Sequence, residues 1–236
     1  MSTFKGKIVI VTGASQGIGR ACAKIFAENG ATVAIHYHKN KKAAEETLAS
    51  LSGVGHQLFN ADVSDAIAVK KFIDEVIHSM GGIDILINNA GYFQPGSLAE
   101  EPAGQLEHQL QVNLGSAYHL TRTLLPSMLQ RGTGHIFNIC SIASLQPYPN
   151  GGSYSISKYA LHGFTQNLRE ELKPTGIKVT GVYPGAVLTD SWGNFDNSSG
   201  RIMETDDVAK MVLQATQLSP QACVEQIVLR PRLGDL

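Results

Sequence analysis

The chain has 236 residues, of which 43% are hydrophobic and 17% charged, and its formal net charge is -1. These values allow one large core and give no sign of nucleic-acid or membrane-surface binding. No apolar run approaches the ~20 residues of a membrane span, and the N-terminus lacks the regions of a signal peptide, so we expect a cytoplasmic protein. The scattered Cys22, Cys140 and Cys223 favour buried free thiols, and no metal site is predicted.

Apolar runs alternate with helical patterns along the whole chain. Strands are predicted at 7–12, 31–36, 57–61, 83–87, 136–139, 178–182 and 226–229. Helices are predicted from the first glycine turn to about 29, and at 41–52, 69–80, 105–130, 154–173 and 205–218. This alternation predicts an α/β fold, a Rossmann-type doubly wound sheet of about seven parallel strands with helices on both faces. We expect a single domain, residues 1–236.

A glycine-rich turn separates the first strand from the first helix. It reads Gly13-Ala14-Ser15-Gln16-Gly17-Ile18-Gly19. Glycines let the backbone approach a pyrophosphate closely, and the N-terminus of the following helix favours an anion. The spacing differs from the commoner Gly-x-Gly-x-x-Gly, but its place between strand and helix predicts a dinucleotide cofactor.

The end of the second strand indicates which cofactor is bound. A carboxylate at this position binds a ribose 2'-hydroxyl, whereas a basic group accommodates a 2'-phosphate. The stretch His36-Tyr37-His38-Lys39-Asn40-Lys41-Lys42 contains several basic groups and no acid. We therefore predict NADP(H), with NAD(H) as the alternative.

Tyr154 and Lys158 are four residues apart, which places them on one face of a helix. A free phenol has a pKa of roughly 10, and a nearby ammonium favours the phenolate, bringing its proton within working range. The spacing alone also fits an ordinary surface helix. Asn88-Asn89-Ala90-Gly91 and Ser141 follow two other strands, at the sheet edge where ligands bind in such folds.

Together these motifs resemble the compact form of the short-chain dehydrogenase/reductase family, over roughly residues 5–229. Thr12 to Gly19 resembles the family's nucleotide turn, Asp62-Val63 its adenine-contacting pair, and Asn88 to Gly91 its sheet-stabilising motif. Pro184-Gly185 and Thr189 match the segment that contacts the nicotinamide amide and the phosphates. Asn113, Ser141, Tyr154 and Lys158 match the catalytic tetrad in order and spacing.

The resemblance implies a role for each residue of the tetrad. Tyr154 would protonate the substrate carbonyl oxygen, and Lys158 would lower the pKa of Tyr154 and hold the nicotinamide ribose. Ser141 would hydrogen-bond the carbonyl oxygen, and Asn113 would hold a water that connects Lys158 to solvent. The expected cofactor contacts are Gly13, Ser15, Gln16, Gly17, Ile18, Gly19, Tyr37, His38, Asp62, Val63, Asn89, Ala90, Gly91, Tyr154, Lys158, Pro184, Gly185, Val187 and Thr189.

The resemblance also implies a homotetramer, or a homodimer, paired through the helices around Asn113 and Tyr154. An apolar stripe on the second helix would face either the partner or its own sheet. The stripe consists of Ala160, Leu161, Phe164 and Leu168.

Two departures from the family pattern bear on the cofactor, and one bears on the substrate. Gln16 and His38 stand where many NADP-preferring members have a basic residue and an arginine. The segment 190–204, which we interpret as a lid over the substrate, is short for the family.

The favoured function is an NADP(H)-preferring oxidoreductase that interconverts a carbonyl and a secondary alcohol by hydride transfer, with a small-molecule substrate. A 3-oxoacyl-[acyl-carrier-protein] reductase is the alternative, and its acidic carrier would need a basic patch, for which Arg131, Arg169 and Lys173 are candidates. A regulator that senses NAD(P) without turnover is disfavoured, because such relatives usually lack the tyrosine or the lysine. A sugar epimerase is disfavoured because the chain has no room for a substrate domain.

Overall fold

The computed structural model describes residues 4–235, so the first three residues and the last residue of the predicted domain lie outside the described part. The sheet has seven parallel strands in the order β3-β2-β1-β4-β5-β6-β7, which confirms the predicted fold class. The strands are β1 Ile8–Val11, β2 Thr32–Tyr37, β3 Gln57–Asn60, β4 Ile85–Asn88, β5 Gly134–Ile139, β6 Ile177–Pro184 and β7 Gln226–Leu229.

Helices cover both faces of the sheet. The core on one face is built by α1, α7 and the adjoining strands, and the core on the other by α3, α5 and α6. The helices are α1 Gly17–Glu28, α2 Lys41–Ala49, α3 Ala66–Met80, α4 Gln105–Leu110, α5 Ser116–Arg131, α6 Gly152–Leu172 and α7 Thr205–Thr216. Among the described residues, no helix is both long and apolar enough to cross a membrane.

Local sequence explains where several helices begin and end. The carboxylate of Asp65 accepts the N–H of Ile67 at 2.8 Å and caps α3, which begins three residues before the predicted start at 69. Glu204 occupies the N-cap position of α7, and its N–H donates to Asp207 Oδ2 at 3.2 Å.

The long helix predicted over 105–130 is not continuous. A π-helical turn, Gln111–Gly115, separates α4 from α5 and contains Asn113. Pro126 lies inside α5 without ending it. Single π-turns inside helices occur often at functional sites, and this one carries a residue of the predicted tetrad.

The strand order reverses at β1, which pairs with β2 on one side and with β4 on the other. The carboxyl ends of these strands therefore border a crevice, the usual ligand position in a doubly wound sheet. The glycine turn leaves β1 and the Asn88 to Gly91 motif leaves β4, so both face this crevice.

Candidate active site

The glycine turn forms a cradle that larger residues would fill. A Cβ atom on Gly19 would lie 2.4 Å from the carbonyl oxygen of Gly13. Gly17 has φ +57°, and a Cβ there would lie 3.3 Å from the methyl carbon of Thr189. Gln16 makes no side-chain cap at the N-terminus of α1. This helix start therefore fits the phosphates of a dinucleotide, which bind to backbone N–H groups.

Two residues that the sequence analysis did not single out hold this turn in place. His36 is buried; Gly13 N–H donates to its Nδ1 at 3.1 Å, and its Nε2 donates to the carbonyl of Ala61 at 3.0 Å. These partners require a neutral ring, and burial lowers the pKa of His36 to about 4. Arg20 donates to the carbonyl of Ser15 at 2.6 Å. A histidine inside a buried strand was the available signal for the first of these residues.

The end of β4 is tied directly to the same turn. The hydroxyl oxygen of Thr12 accepts the N–H groups of Asn89 and Ala90, both at 2.9 Å. The Asn89 amide in turn donates to the carbonyls of Thr12 and Gly13, at 2.9 and 3.1 Å. Asn89 and Ala90 therefore lie beside the glycine turn and fix the two sides of the crevice to each other.

The predicted ribose and adenine residues come together beside the end of β2. Nε2 of His38 lies 3.8 Å from Oδ2 of Asp62, and both side chains are half exposed. The hydroxyl of Ser64, donating at 2.6 Å, is the main cause that lowers the pKa of the Asp62 carboxyl. Val63 is buried and Tyr37 is partly buried, so His38 and Asp62 are the more accessible groups here.

The segment after β6 closes the other end of the crevice. Gly185 N–H donates to the carbonyl of Leu229 at 2.7 Å, so β7 fixes the Pro184-Gly185 turn. Val187, predicted to contact the cofactor, has its side chain packed in the core, which leaves only its backbone for a ligand. Thr189 approaches the glycine turn, as described above.

Ser141 and Tyr154 form the centre of the candidate site. The side chain of Ser141 lies close enough to the Tyr154 hydroxyl to oppose the effect of burial and lower the pKa of the phenol. The oxygen of Ser141 also accepts the N–H of Ala143 at 3.1 Å, and its own N–H donates to the hydroxyl of Ser144 at 3.1 Å. These bonds hold the serine at the carboxyl end of β5 and leave its hydroxyl proton for an oxygen bound near Tyr154.

Lys158 lies one turn after Tyr154, as the spacing predicts, but its ammonium is not directed at the phenol. It donates to the carbonyl of Ile139 at 2.9 Å and lies 5.9 Å from the centroid of the Tyr154 ring. Burial lowers the pKa of Lys158 to about 8 and raises the pKa of Tyr154 well above its ordinary value. In this structure burial therefore outweighs the lowering of the Tyr154 pKa that is expected from Lys158.

Asn113 meets the site from the π-turn. Its Oδ1 accepts the N–H of Tyr92 at 2.7 Å, and its Nδ2 donates to the carbonyl of Tyr92 at 3.0 Å and to the hydroxyl of Ser157 at 2.8 Å. A Cβ on Gly91 would lie 3.2 Å from Asn113 Oδ1 and 3.7 Å from Lys158 Nζ. The side chain of Asn113 thus fastens the loop after β4 to the helix that carries the tyrosine and the lysine.

Within residues 4–235, no group of three or more histidine, cysteine, aspartate or glutamate side chains is placed to hold a metal ion.

Comparison with known proteins agrees with this geometry. The family model described as short chain dehydrogenase matches residues 7–199. An uncharacterised oxidoreductase of Staphylococcus aureus (strain MW2) is 32% identical over 98% of this chain and 100% of its own length. The family model covers most of the chain and the relative covers nearly all of it, so neither match depends on a single motif.

Two solved structures share the fold over nearly the whole chain. A metagenomic short-chain oxidoreductase in complex with NADP has a TM-score of 0.84 at 30% identity, covering 98% of this chain and 99% of its own. The closed form of serine dehydrogenase complexed with NADP+ has a TM-score of 0.85 at 27% identity, covering 94% of this chain and 93% of its own. With the matched family model, these likenesses lead to one conclusion: the chain is an oxidoreductase of the short-chain dehydrogenase family.

Proposed function

We propose that this protein is an NADP(H)-preferring oxidoreductase that interconverts a carbonyl and a secondary alcohol. The observation that carries the proposal is the convergence of Tyr154, Ser141 and Lys158 at the carboxyl edge of the sheet, beside the glycine cradle. Such an arrangement brings a proton donor and a hydrogen-bond donor to the edge where a dinucleotide binds.

In the reductive direction, bound NADPH supplies the hydride. The Tyr154 hydroxyl donates its proton to the substrate oxygen, and the Ser141 hydroxyl hydrogen-bonds the same oxygen as negative charge develops on it. The Lys158 ammonium, one turn away, binds the ribose of the cofactor and favours the phenolate that proton donation leaves behind. Asn113 keeps the loop after β4 against α6, which maintains the distance between these groups.

The preference for NADP(H) is supported by charge and by the relatives. No carboxylate lies between 31 and 44, whereas His38, Lys39, Lys41 and Lys42 are exposed there. Two solved relatives are complexes with NADP. Exposed charge pairs contribute roughly 0–1 kcal/mol each, so we expect a preference on the order of tenfold.

The proposal is tested by following NADPH absorbance with a broad panel of ketones and aldehydes, and with alcohols and NADP+ in the reverse direction. kcat/KM is then compared for NADPH and NADH at low and high salt. We expect turnover with at least one carbonyl compound, and a preference for NADPH that weakens as salt screens the exposed bases. Equal values for the two cofactors at low salt would reject the NADP(H) preference without rejecting the oxidoreductase.

A 3-oxoacyl-[acyl-carrier-protein] reductase is less well supported. Each base considered for docking an acidic carrier already has an acidic partner: Arg131 pairs with Asp84 at 3.6 Å, Lys173 with Glu170 at 2.5 Å, and Arg169 with Glu225. These pairs leave little free positive charge for a carrier. A regulator without turnover is disfavoured, since the complete tetrad is retained and assembled.

We further propose that the chain works as one catalytic domain in the cytoplasm and assembles as a homotetramer or homodimer. The assembly is argued below from the exposed faces of α5 and α6.

A further inference from the structure

An exposed aromatic side chain, that of Phe93, lies beside Tyr154. The ring of Phe93 meets the ring of Tyr154 edge to face, with centroids 4.7 Å apart and an interplanar angle of 90°. Phe93 remains 49% exposed, so much of its surface is free to contact a ligand. Tyr148, in the loop before α6, is 37% exposed. A substrate oxygen at Tyr154 therefore brings the rest of the substrate beside aromatic surface.

Phe93 is held in place by hydrogen bonds on both sides. Asn113 binds both backbone groups of Tyr92, and the Gln109 amide donates to the carbonyl of Gln94 at 2.7 Å. The backbone that carries the ring is therefore fixed before any substrate arrives. A surface that is ordered in advance loses little entropy when a ligand packs against it.

The far end of this loop is fastened by a carboxylate to the start of α6. Ser153 N–H donates to Glu101 Oε1 at 2.7 Å, and the Ser153 hydroxyl donates to Oε2. Gly152 has φ +46°, and a Cβ atom there would lie 2.1 Å from Glu101 Oε1. The absence of a side chain at Gly152, two residues before Tyr154, thus makes room for the negative charge of Glu101.

The loops around the site otherwise offer little positive charge. Residues 92–104, 141–152 and 185–204 contain five carboxylates and one cation, namely Glu100, Glu101, Asp190, Asp196, Glu204 and Arg201. Arg201 donates to the carbonyls of Gly234 and Asp235, both at 2.9 Å. A substrate carboxylate entering the site needs a fixed cationic partner to replace its water, and these loops have no unengaged one.

From the exposed ring, the fixed loop and the local charge, we infer that the site takes uncharged carbonyl compounds bearing an aromatic or similarly flat apolar group next to the carbonyl, and selects against substrates bearing a carboxylate. The apolar group packs against Phe93 while the carbonyl oxygen meets Tyr154 and Ser141. This inference rests on the proposed function and specifies its substrate class.

The first test compares two ketones that differ in charge and little in size. kcat/KM is measured with NADPH for 4-acetylbenzamide and for 4-acetylbenzoate, alongside acetophenone and butanone. We expect kcat/KM for the amide to exceed that for the carboxylate at least about tenfold, and kcat/KM for acetophenone to exceed that for butanone. If kcat/KM for the carboxylate equals or exceeds that for the amide, the inferred substrate class is overturned, while the proposed oxidoreductase function stands. Absence of turnover with every carbonyl compound overturns the proposed function as well.

The second test removes the ring. Phe93→Ala is compared with Leu98→Ala, a change in the same loop at a side chain that is 68% exposed. We expect Phe93→Ala to raise KM for acetophenone about 3- to 10-fold and to leave KM for butanone unchanged, because aromatic contact is lost only for the first. Leu98→Ala should alter neither value, and the Kd for NADPH should be the same in all three proteins. An equal loss for both ketones would mean that Phe93 acts through Tyr154 and not on the substrate.

The third test removes the negative charge of Glu101, the carboxylate that binds Ser153 at the start of α6. Glu101→Gln keeps an oxygen that accepts the Ser153 N–H, so the loop stays fastened while the negative charge is lost. We expect the amide-to-carboxylate ratio of kcat/KM to narrow about threefold, with the value for acetophenone within twofold of wild type. An unchanged amide-to-carboxylate ratio would show that Glu101 does not contribute to the selection against carboxylates.

Discussion

At the scale of single residues, burial gives the two central titratable groups opposite tendencies. The pKa of Tyr154 is raised, which keeps its phenol protonated at neutral pH, and the pKa of Lys158 is lowered to about 8. A protonated phenol is the form required to donate a proton during carbonyl reduction.

Removing the phenolic proton gives the most direct residue-level prediction. Tyr154→Phe keeps the ring that packs against Phe93 and loses only the proton donor. We expect kcat to fall on the order of 10²–10⁴-fold, with the NADPH Kd nearly unchanged. Tyr159→Phe is the matched control, since that tyrosine is exposed on the same helix. A Tyr154→Phe enzyme that retained more than about a third of wild-type kcat would show that another group is the acid.

Lys158 provides a prediction for stability as a function of pH. Its pKa falls from 10.5 to about 8 on folding, chiefly through burial, which corresponds to about 3 kcal/mol of destabilisation below pH 8. Between about pH 8 and 10.5 the unfolded chain holds this proton and the folded chain does not, so stability rises with pH in that window. Lys158→Met removes the penalty and also the hydrogen bond to Ile139, worth about 1 kcal/mol.

The expected outcome is a Lys158→Met protein that is about 2 kcal/mol more stable than wild type at pH 7 and is inactive. Urea unfolding at a series of pH values measures the difference, which should shrink as the pH approaches 10.5. A variant less stable than wild type at pH 7 would indicate that the ammonium is better solvated than its burial implies.

At the scale of elements, sequence reasoning succeeded where the pattern is local. Buried apolar runs and glycine punctuation were sufficient to predict the seven strands along the chain, whereas their order in the sheet was not predicted. The π-turn at Asn113 was missed, because the helical period of side chains changes little over one extra residue. His36 was read only as part of a basic stretch, since its two hydrogen bonds reach Gly13 and Ala61, which are distant in sequence.

The assembly of the tetrad also depended on contacts that sequence does not encode locally. The order and spacing of Ser141, Tyr154 and Lys158 indicated which residues would meet. They did not indicate that the ammonium would be directed to the carbonyl of Ile139, because that contact depends on the packing of α6 against β5. For the same reason the role of Glu101 was not predicted.

The π-turn yields a prediction at this scale. Asn113→Ala removes the bonds to both backbone groups of Tyr92 and to Ser157, so the loop that carries Phe93 loses its anchor. We expect the free energy of unfolding to fall by about 2–4 kcal/mol, and kcat/KM to fall with it. Asn167→Ala, at an exposed asparagine of α6, should change stability by no more than about 0.5 kcal/mol. Equal denaturation midpoints for the two variants would show that Asn113 does not anchor the loop after β4 to α6.

At the scale of the whole molecule, the stripe considered for subunit contacts divides between two environments. Leu161 and Leu168 are buried in their own chain, so this part of the stripe faces the sheet. Phe164 is partly buried and meets Tyr118 of α5, with ring centroids 5.7 Å apart. The apolar side chains left exposed on α6 are Ile156 and Tyr159, at 42% and 40%.

These exposed side chains and their neighbours on α5 carry the prediction for assembly. Tyr118 and Leu129 of α5 are also exposed, and the Tyr118–Phe164 contact joins the two helices. Burying such a surface against a second copy removes apolar area from water at roughly 25 cal/mol per Å². A charge placed within it should therefore oppose association, since the partner would have to bury that charge without a counterion. Tyr159→Glu is expected to convert an oligomer at micromolar concentration into monomers, as measured by light scattering coupled to size exclusion.

Val54→Glu, at an exposed side chain of the loop before β3, should leave the mass unchanged. A monomeric wild-type protein, or a Tyr159→Glu protein of unaltered mass, would reject this surface as the subunit interface.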